Sequence, residues 1–176
     1  MSSEESVIDI KRALALWGDT VMRLALCKTH NRADAEDITQ TVFLKLCQKT
    51  TGFDSNEHLK AWLLRVTLTS AADMARDPFS RHRVKLDDAD EAVERHTRLH
   101  GGAATRDPES ELTESFVADA VASLPEKQRL AVHLYYFEDY STREIAAIMG
   151  EKPSTVRSHL HRARAMLKTL IGEYHD

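Results

Sequence analysis

Ser154-Thr-Val-Arg-Ser-His-Leu-His-Arg-Ala-Arg-Ala-Met-Leu-Lys-Thr-Leu170 is the stretch that decides how this chain of 176 residues is read. At helical spacing it carries two stripes. Val156, Leu160, Ala163 and Leu167 recur at i, i+4, i+7 and i+11 and form an apolar line. Arg157, His161, Arg164 and Lys168 repeat that spacing one residue on, Arg162 adds charge nearby, and no acid interrupts the run. One face of such a helix docks on a protein core while the other meets phosphates and base edges. Upstream, Ser141 and Glu144 form a Ser-x-x-Glu capping box, and Gly150 suits the left-handed turn that ends the short helix between them. Ser154 or the residue before it is placed to cap the last helix. The pair predicts a helix-turn-helix.

Composition predicts the rest of the architecture. Six glycines and four prolines leave few tight turns, and β-branched or aromatic runs of strand length are scarce, so the fold class is all-α. The net charge of −4 taken alone speaks against a nucleic-acid partner, because phosphate contacts need cations. Its distribution matters more. Asp87, Asp88, Asp90, Glu91 and Glu94, then Asp107, Glu109, Glu111 and Glu114, face only three arginines, and without this acidic middle the flanks are near neutral. Arg76–Lys85 and Arg157–Lys168 are local basic patches. Cys27 and Cys47 lie in helical patterns and read as buried free thiols in a reducing compartment. No apolar run reaches membrane-spanning length and Met1–Lys11 has no signal-peptide pattern, so a cytoplasmic protein without membrane insertion of its own is expected.

The chain divides in three: residues 1–85, a flexible acidic linker over 86–107, and 108–176. In the first part Ile10, Leu14, Trp17, Val21 and Leu24 predict the buried face of a long first helix. His30–Asp34 is a polar break, with Asp34 as N-cap of a second helix and Asp37 as its weak capping partner. Ile38, Val42 and Leu46 form that helix's buried line. A loop over Thr50–Asn56 leads to a third helix, about Glu57–Arg76, with Leu59, Trp62, Leu63 and Val66 facing in, and Asp77-Pro78 ends it. The linker's His96 and His100 are spaced i, i+4 but lack the carboxylates or cysteines of a metal site. In the last part helices are expected at Glu109–Ser123, Glu126–Phe137, Thr142–Met149 and Ser154–Ile171, with Pro125 at a helix start.

Both ends of the chain resemble one family, the extracytoplasmic-function sigma factors of bacterial RNA polymerase. The N-terminal match runs through Asp34-Ala-Glu-Asp-Ile-Thr-Gln-Thr-Val-Phe-Leu-Lys-Leu46, then Ala61-Trp-Leu-Leu-Arg-Val66, then Asp73 and Arg76. The C-terminal match comprises Ser123-Leu-Pro-Glu-Lys-Gln-Arg129, Tyr140-Ser-Thr-Arg-Glu-Ile-Ala-Ala-Ile-Met-Gly150 and Ser154 to Arg164. Helix-turn-helix units are widespread, so the C-terminal motif is moderately specific; both motifs in this order around an acidic tether are a strong signal.

The resemblance implies a sigma region 2-like domain (1–85) that binds core polymerase and the −10 element, and a region 4-like domain (108–176) that reads the −35 element. It implies that the second helix docks on the coiled-coil clamp of the polymerase β′ subunit through Asp37, Gln40, Phe43 and Leu44. Read by residues alone, that face is an ordinary solvated one. The −10 contacts would fall on the stretch from Gly52 to His58 and on the third helix: Phe53 and Asn56 to stack on and hydrogen-bond an unstacked base, with Arg65, Thr69 and Arg76 beyond. Trp62 reads more strongly as core. The −35 contacts would be Ser154, Thr155, Arg157, Ser158, His161 and Arg162, the first two through backbone N–H groups at a helix start. The region 4-like domain would also rest on the polymerase β flap. Glu144 and Arg143 read equally as cap partner and solvated charge or as DNA contacts. An anti-sigma factor is a further partner the family implies.

The chain departs from the family at Thr69, where many relatives have Asn, and in Arg76-Asp-Pro-Phe-Ser-Arg-His-Arg83, which interrupts their arginine run; Arg81, Arg83 and Lys85 restore part of it. The alternative function is a stand-alone helix-turn-helix regulator, which would need neither the Asp37/Gln40 face nor a −10 segment. No Gly-rich phosphate loop, H-E-x-x-H or nucleophile elbow is present, so neither enzyme activity nor a cofactor is expected.

Overall fold

The computed structural model describes residues 9–77 and 116–175, and the elements it describes are all helical. The chain falls into two compact units, Met1–Leu86 and Asp87–Asp176. The expected linker, its His96/His100 pair and the basic residues Arg81, Arg83 and Lys85 lie outside the described residues.

In the first unit α1 (Ile10–Thr29), α2 (Arg32–Cys47) and α3 (Asn56–Arg76) each pack against the other two. Val21 and Leu24 of α1, Ile38, Val42 and Leu46 of α2, and Leu63 and Leu64 of α3 are removed from solvent almost completely. Each such side chain contributes about 1.5–3 kcal/mol of burial. Leu59 is buried as expected, while Trp62 and Val66 pack against this core from its edge. Buried Thr67 satisfies its hydroxyl on the Leu63 carbonyl at 2.8 Å, and Lys45 Nζ ties α2 to α3 by donating to Ser70 Oγ at 3.0 Å.

Three expectations change here. Leu14 is half exposed, in a groove between α1 and α2 beside Gly18, Met22 and Gln40. The inner face of α1 runs instead through Ala13, Val21, Leu24 and Ala25, with Ile10 and Trp17 half-buried. The N-cap of α2 is Asn31, not Asp34: Asn31 is extended and its Oδ1 accepts from the Asp34 N–H at 3.0 Å. Asp34 thus stands in the first turn, where a carboxylate suits the helix dipole. His30, the first residue of the expected polar break, ends α1 with a left-handed φ of 52°. Cys27 is buried, but Cys47 closes α2 on the exposed side.

The second unit begins with a helical stretch, residues 116–122, followed by α4 (Glu126–Val132, continuing as a π-helix through His133–Phe137), α5 (Thr142–Met149) and α6 (Pro153–His175). Arg129 explains part of the Ser123–Arg129 motif. Its guanidinium is buried and Nη1 donates to the carbonyls of Leu124 at 2.8 Å and Ala122 at 3.3 Å, closing the end of the preceding helix. The expected helix over Glu126–Phe137 is α-helical only to Val132. The wider last turn is closed by the Tyr140 N–H on the Leu134 carbonyl, which the left-handed φ of 58° at Asp139 allows. The capping box forms: Glu144 N–H donates to Ser141 Oγ at 3.4 Å, while Ser141 N–H and Oγ–H donate to Glu144 Oε2 at 2.8 and 2.6 Å. These bonds hold the Glu144 carboxyl below its ordinary range, the Ser141 hydroxyl acting most strongly. Gly150 takes the left-handed turn, with φ at 68°.

Replacing Ser141 by Ala removes both bonds of the hydroxyl and leaves only the backbone N–H bond to Glu144. We expect a loss of about 1 kcal/mol, lowering the unfolding midpoint of the second unit by roughly 4–8 °C. All four tyrosines lie at or beyond Tyr135, so near-ultraviolet circular dichroism in the tyrosine band follows this unit. An unchanged midpoint contradicts the assigned role of the cap.

Candidate nucleic-acid interface

The two stripes of α6 separate as a helix serving two surfaces must. Val156, Leu160 and Ala163 are buried against α4 and α5, and Leu167 is half-buried. Arg157, Ser158, His161, Arg162, Arg164 and Lys168 are exposed, as is Ser154, while Thr155 is half-buried. The helix starts one residue earlier than expected, at Pro153, whose missing N–H costs nothing in a first turn. Ser154 is therefore not the cap but a first-turn residue, and no acid stands in that turn. The Thr155 N–H, expected to meet a phosphate, instead donates to the Lys152 carbonyl at 3.0 Å, because the chain tightens into the helix at Lys152. The Ser154 N–H, two arginines, a histidine and small hydroxyls share one end of one helix, an arrangement that fits a phosphate-lined groove.

The turn that aims α6 is held by a network the sequence reading missed. Lys127 Nζ at the start of α4 lies 2.6 Å from Glu151 Oε1, and His159 Nε2 on α6 lies 3.0 Å from Glu151 Oε2. The Glu151 N–H donates to the Ala146 carbonyl at 2.9 Å. One side chain after Gly150 thus links α4, the turn and α6. Burial pulls the Glu151 carboxyl upward, but the hydrogen bonds and charges of Lys127 and His159 outweigh it and hold it below its ordinary value. The same hydrogen bond raises Lys127. No periodic pattern marks this arrangement, because the three residues sit on different elements. Glu144 is engaged in the cap, and Arg143 is exposed beside it.

In the first unit the aromatic residues cluster. The Phe53 ring stands 5.5 Å from Trp62 and 5.3 Å from His58, both edge-on, and Lys49 Nζ lies 5.1 Å from the Phe53 centroid and 5.9 Å from that of Trp62. Phe53 is half-buried, leaning on the core with one side. Lys49 lies outside the expected Gly52–His58 stretch, and a cation four residues before a loop aromatic is the signal that points to it. Asn56 is exposed at the first residue of α3, next to the cap Ser55. Arg65, Thr69 and Arg76 are exposed along α3. Thr69 Oγ bonds back to the carbonyls of Val66 and Arg65, and Arg76 lies 3.7 Å from Asp73.

Of the expected polymerase-docking residues, Asp37, Gln40 and Leu44 share the exposed side of α2, and Leu44 is 61% exposed. Phe43 does not join them. It is buried in the core, because the apolar stripe of α2 is wider than the Ile38–Val42–Leu46 line and its edge takes in this ring.

The sequence matches Sigma-70 region 2 over residues 15–78 and Sigma-70 region 4 over residues 117–167. It is 32% identical over 156 residues to the ECF RNA polymerase sigma factor SigE of Mycolicibacterium smegmatis, aligning 89% of this chain with 59% of that one. It is 32% identical over 164 residues to the ECF RNA polymerase sigma factor SigL of Mycobacterium tuberculosis, aligning 93% of this chain with 86% of that one. Among solved structures, the sigma factor RpoE in complex with the anti-sigma factor NepR from Bartonella quintana superposes with a TM-score of 0.65 at 25% identity, covering 94% of this chain and 98% of the other. CnrH, in complex with the cytosolic domain of CnrY, has the same fold, with a TM-score of 0.62 at 21% identity over 93% of this chain and 88% of CnrH. Among the described residues no helix is long and apolar enough to cross a membrane.

The Glu151 network carries a signed pH dependence. A carboxyl held low in the folded state contributes stability that is complete above its ordinary value of 4.5 and is lost as pH falls through the lower folded value. Glu151→Gln should lower the second unit's stability near neutral pH by on the order of 1 kcal/mol, since Lys127 is largely exposed. The gap from the unsubstituted protein should then close as acid protonates Glu151. Thermal unfolding from pH 7 to pH 3 reads this, and a gap independent of pH would refute the assignment.

Proposed function

The chain belongs to the extracytoplasmic-function sigma factors, and from that membership we propose how its parts divide the work of directing RNA polymerase to promoters. The observation that carries the reading is α6, with its apolar stripe buried and its basic stripe exposed on a helix whose first turn is free of acid. Arg157 is the base reader, its planar fork suited to bidentate contact with a guanine in the major groove of the −35 element. Ser158, His161 and Arg162 flank it, Ser154 presents its first-turn N–H to the backbone, and Thr155, whose N–H is given to the Lys152 carbonyl, offers its hydroxyl.

The first unit supplies the other two contacts. Asp37, Gln40 and Leu44 dock on the β′ clamp, and the exposure of Leu44 beside two polar residues supports a protein partner there. Phe43 acts behind this face, as the ring that fixes α2 on the core. Phe53, with Lys49, Trp62 and His58 around it, is the platform for an unstacked −10 base; stacking on such a platform contributes about 1–3 kcal/mol per base. Asn56 at the loop's end offers hydrogen bonds, and Arg65 and Arg76 follow the backbone with Thr69 between them. We further propose that the region 4-like unit rests on the β flap, that an anti-sigma factor covers these faces when the protein is silent, and that the protein works in the cytoplasm with no catalytic chemistry of its own.

Incubation with purified core polymerase, followed by run-off transcription on a pool of genomic promoters, tests the reading. Stable binding with new start sites is expected. DNA binding without polymerase binding would move the protein to the stand-alone regulators. Arg157→Ala should lower −35-dependent initiation by roughly ten-fold or more, the equivalent of about 1–3 kcal/mol, while leaving polymerase affinity unchanged; equal loss of both would contradict the assignment. Asp37→Ala and Gln40→Ala should weaken polymerase binding and leave the binding of −35 DNA intact. Unaltered polymerase affinity in both would mean that this face of α2 is merely solvated.

A further inference from the structure

Arg164 stands apart from the rest of its stripe. Its Nε donates to the Tyr136 hydroxyl at 2.8 Å, and its guanidinium carbon lies 5.8 Å from the centroid of the Tyr136 ring and 5.7 Å from that of Tyr135. The two rings meet edge to face at 5.0 Å. Arg164 has no carboxylate partner among the described residues, and both Arg164 and Tyr136 are exposed. An exposed arginine ordinarily samples many rotamers, and holding it still for a ligand costs conformational entropy. Here two aromatic rings and a hydroxyl have already fixed it, with none of its charge neutralised. The Nε bond occupies a single donor of a guanidinium, and the fork that grips a phosphate bidentately has others.

Its place on α6 says what the charge meets. Arg164 follows Arg157 by two turns on the same side of the helix. Seven residues at about 1.5 Å rise span roughly 10 Å, close to the major-groove width of about 12 Å. A helix whose N-terminal end lies among base edges therefore carries Arg164 to the groove wall, where the sugar-phosphate backbone runs.

We propose that Arg164, clamped by Tyr135 and Tyr136, is a preorganised binding site for one DNA backbone phosphate, and that Tyr136 is its positioning residue. The proposal rests on the reading of α6 as the −35 helix. The site is independent of base sequence. It sets how deep and at what angle α6 enters the groove, and so fixes where Arg157 meets the bases. Tyr136 and Arg164 come from α4 and α6, so the clamp also couples the grip on DNA to the packing of the unit.

The test uses the full chain and the −35 duplex recovered from run-off transcription, with fluorescence anisotropy measured across a salt series. Arg164→Gln should reduce the slope of log K against log salt by about 0.9, the value of one phosphate, and weaken the recovered duplex and a scrambled one by the same factor. Tyr136→Phe keeps the ring and the charge but removes the hydroxyl; it should weaken both duplexes alike by about three-fold, with a smaller change in slope. Arg157→Ala, measured beside them, should instead narrow the preference for the recovered duplex. Unchanged slope and affinity in Arg164→Gln, with the Arg157→Ala effect intact, would overturn the phosphate site and leave the reading of α6 standing. Silence in all three variants would overturn both. A fall in unfolding midpoint for Arg164→Gln with no change in slope would make the tyrosine contacts a structural staple and would likewise overturn the proposal.

Discussion

The burial of Val156, Leu160 and Ala163 against α4 and α5 is the constraint on which the rest of the second unit depends. Those three side chains fix the rotation of α6 about its own axis. A helix turned by one residue would carry Arg157 toward the core and expose an apolar edge, at the cost of a buried, unpaired charge. Once the stripe is seated, the outward direction of Arg157, Ser158 and His161 follows without further instruction. The capping box at Ser141, the left-handed turn at Gly150 and the Glu151 bridge to Lys127 and His159 then set the angle at which α6 leaves α5.

The first unit solves a different problem with the same means. Its three helices close a small core through Val21, Leu24, Ile38, Val42, Leu46 and Leu63, which leaves one side of α2 and the loop before α3 with polar and aromatic groups on the surface. The polymerase-facing residues proposed for α2 are those the core does not claim. Phe53 and Trp62 belong partly to both worlds, each with a side on the core and a share in the cluster around Lys49. A platform for a base gains from this, because a ring braced by the core does not have to be ordered on binding.

Periodicity alone makes most of this legible. The Ile38–Val42–Leu46 line, the Ser141/Glu144 box, the Gly150 turn and the apolar stripe of α6 are local patterns, and each stands where its spacing put it. What failed were matters of edge and reach. Leu14 fits a helical repeat but lies beyond the area that α2 covers; Phe43 breaks the narrow line yet is long enough to reach the core from its margin. Asn31 and Asp34 are both competent caps, and only the left-handed residue at His30 decides between them. The Glu151 bridge and the tyrosine contacts of Arg164 join residues far apart in sequence, so no window of sequence contains them.

The central claim is that one side of α6 faces promoter DNA, and site-specific photo-crosslinking tests it most directly. A photoreactive residue would be placed, one position at a time, at Arg157, His161 and Met166 in the complex with polymerase and promoter. Met166 is exposed and follows Arg157 by nine residues, which puts it opposite Arg157 on the helix and one turn beyond Arg162, at the edge of the DNA-facing side. The account predicts strong DNA adducts from the first two positions and a much lower yield from the third. Equal yields from all three, or a higher yield from Met166, would contradict it.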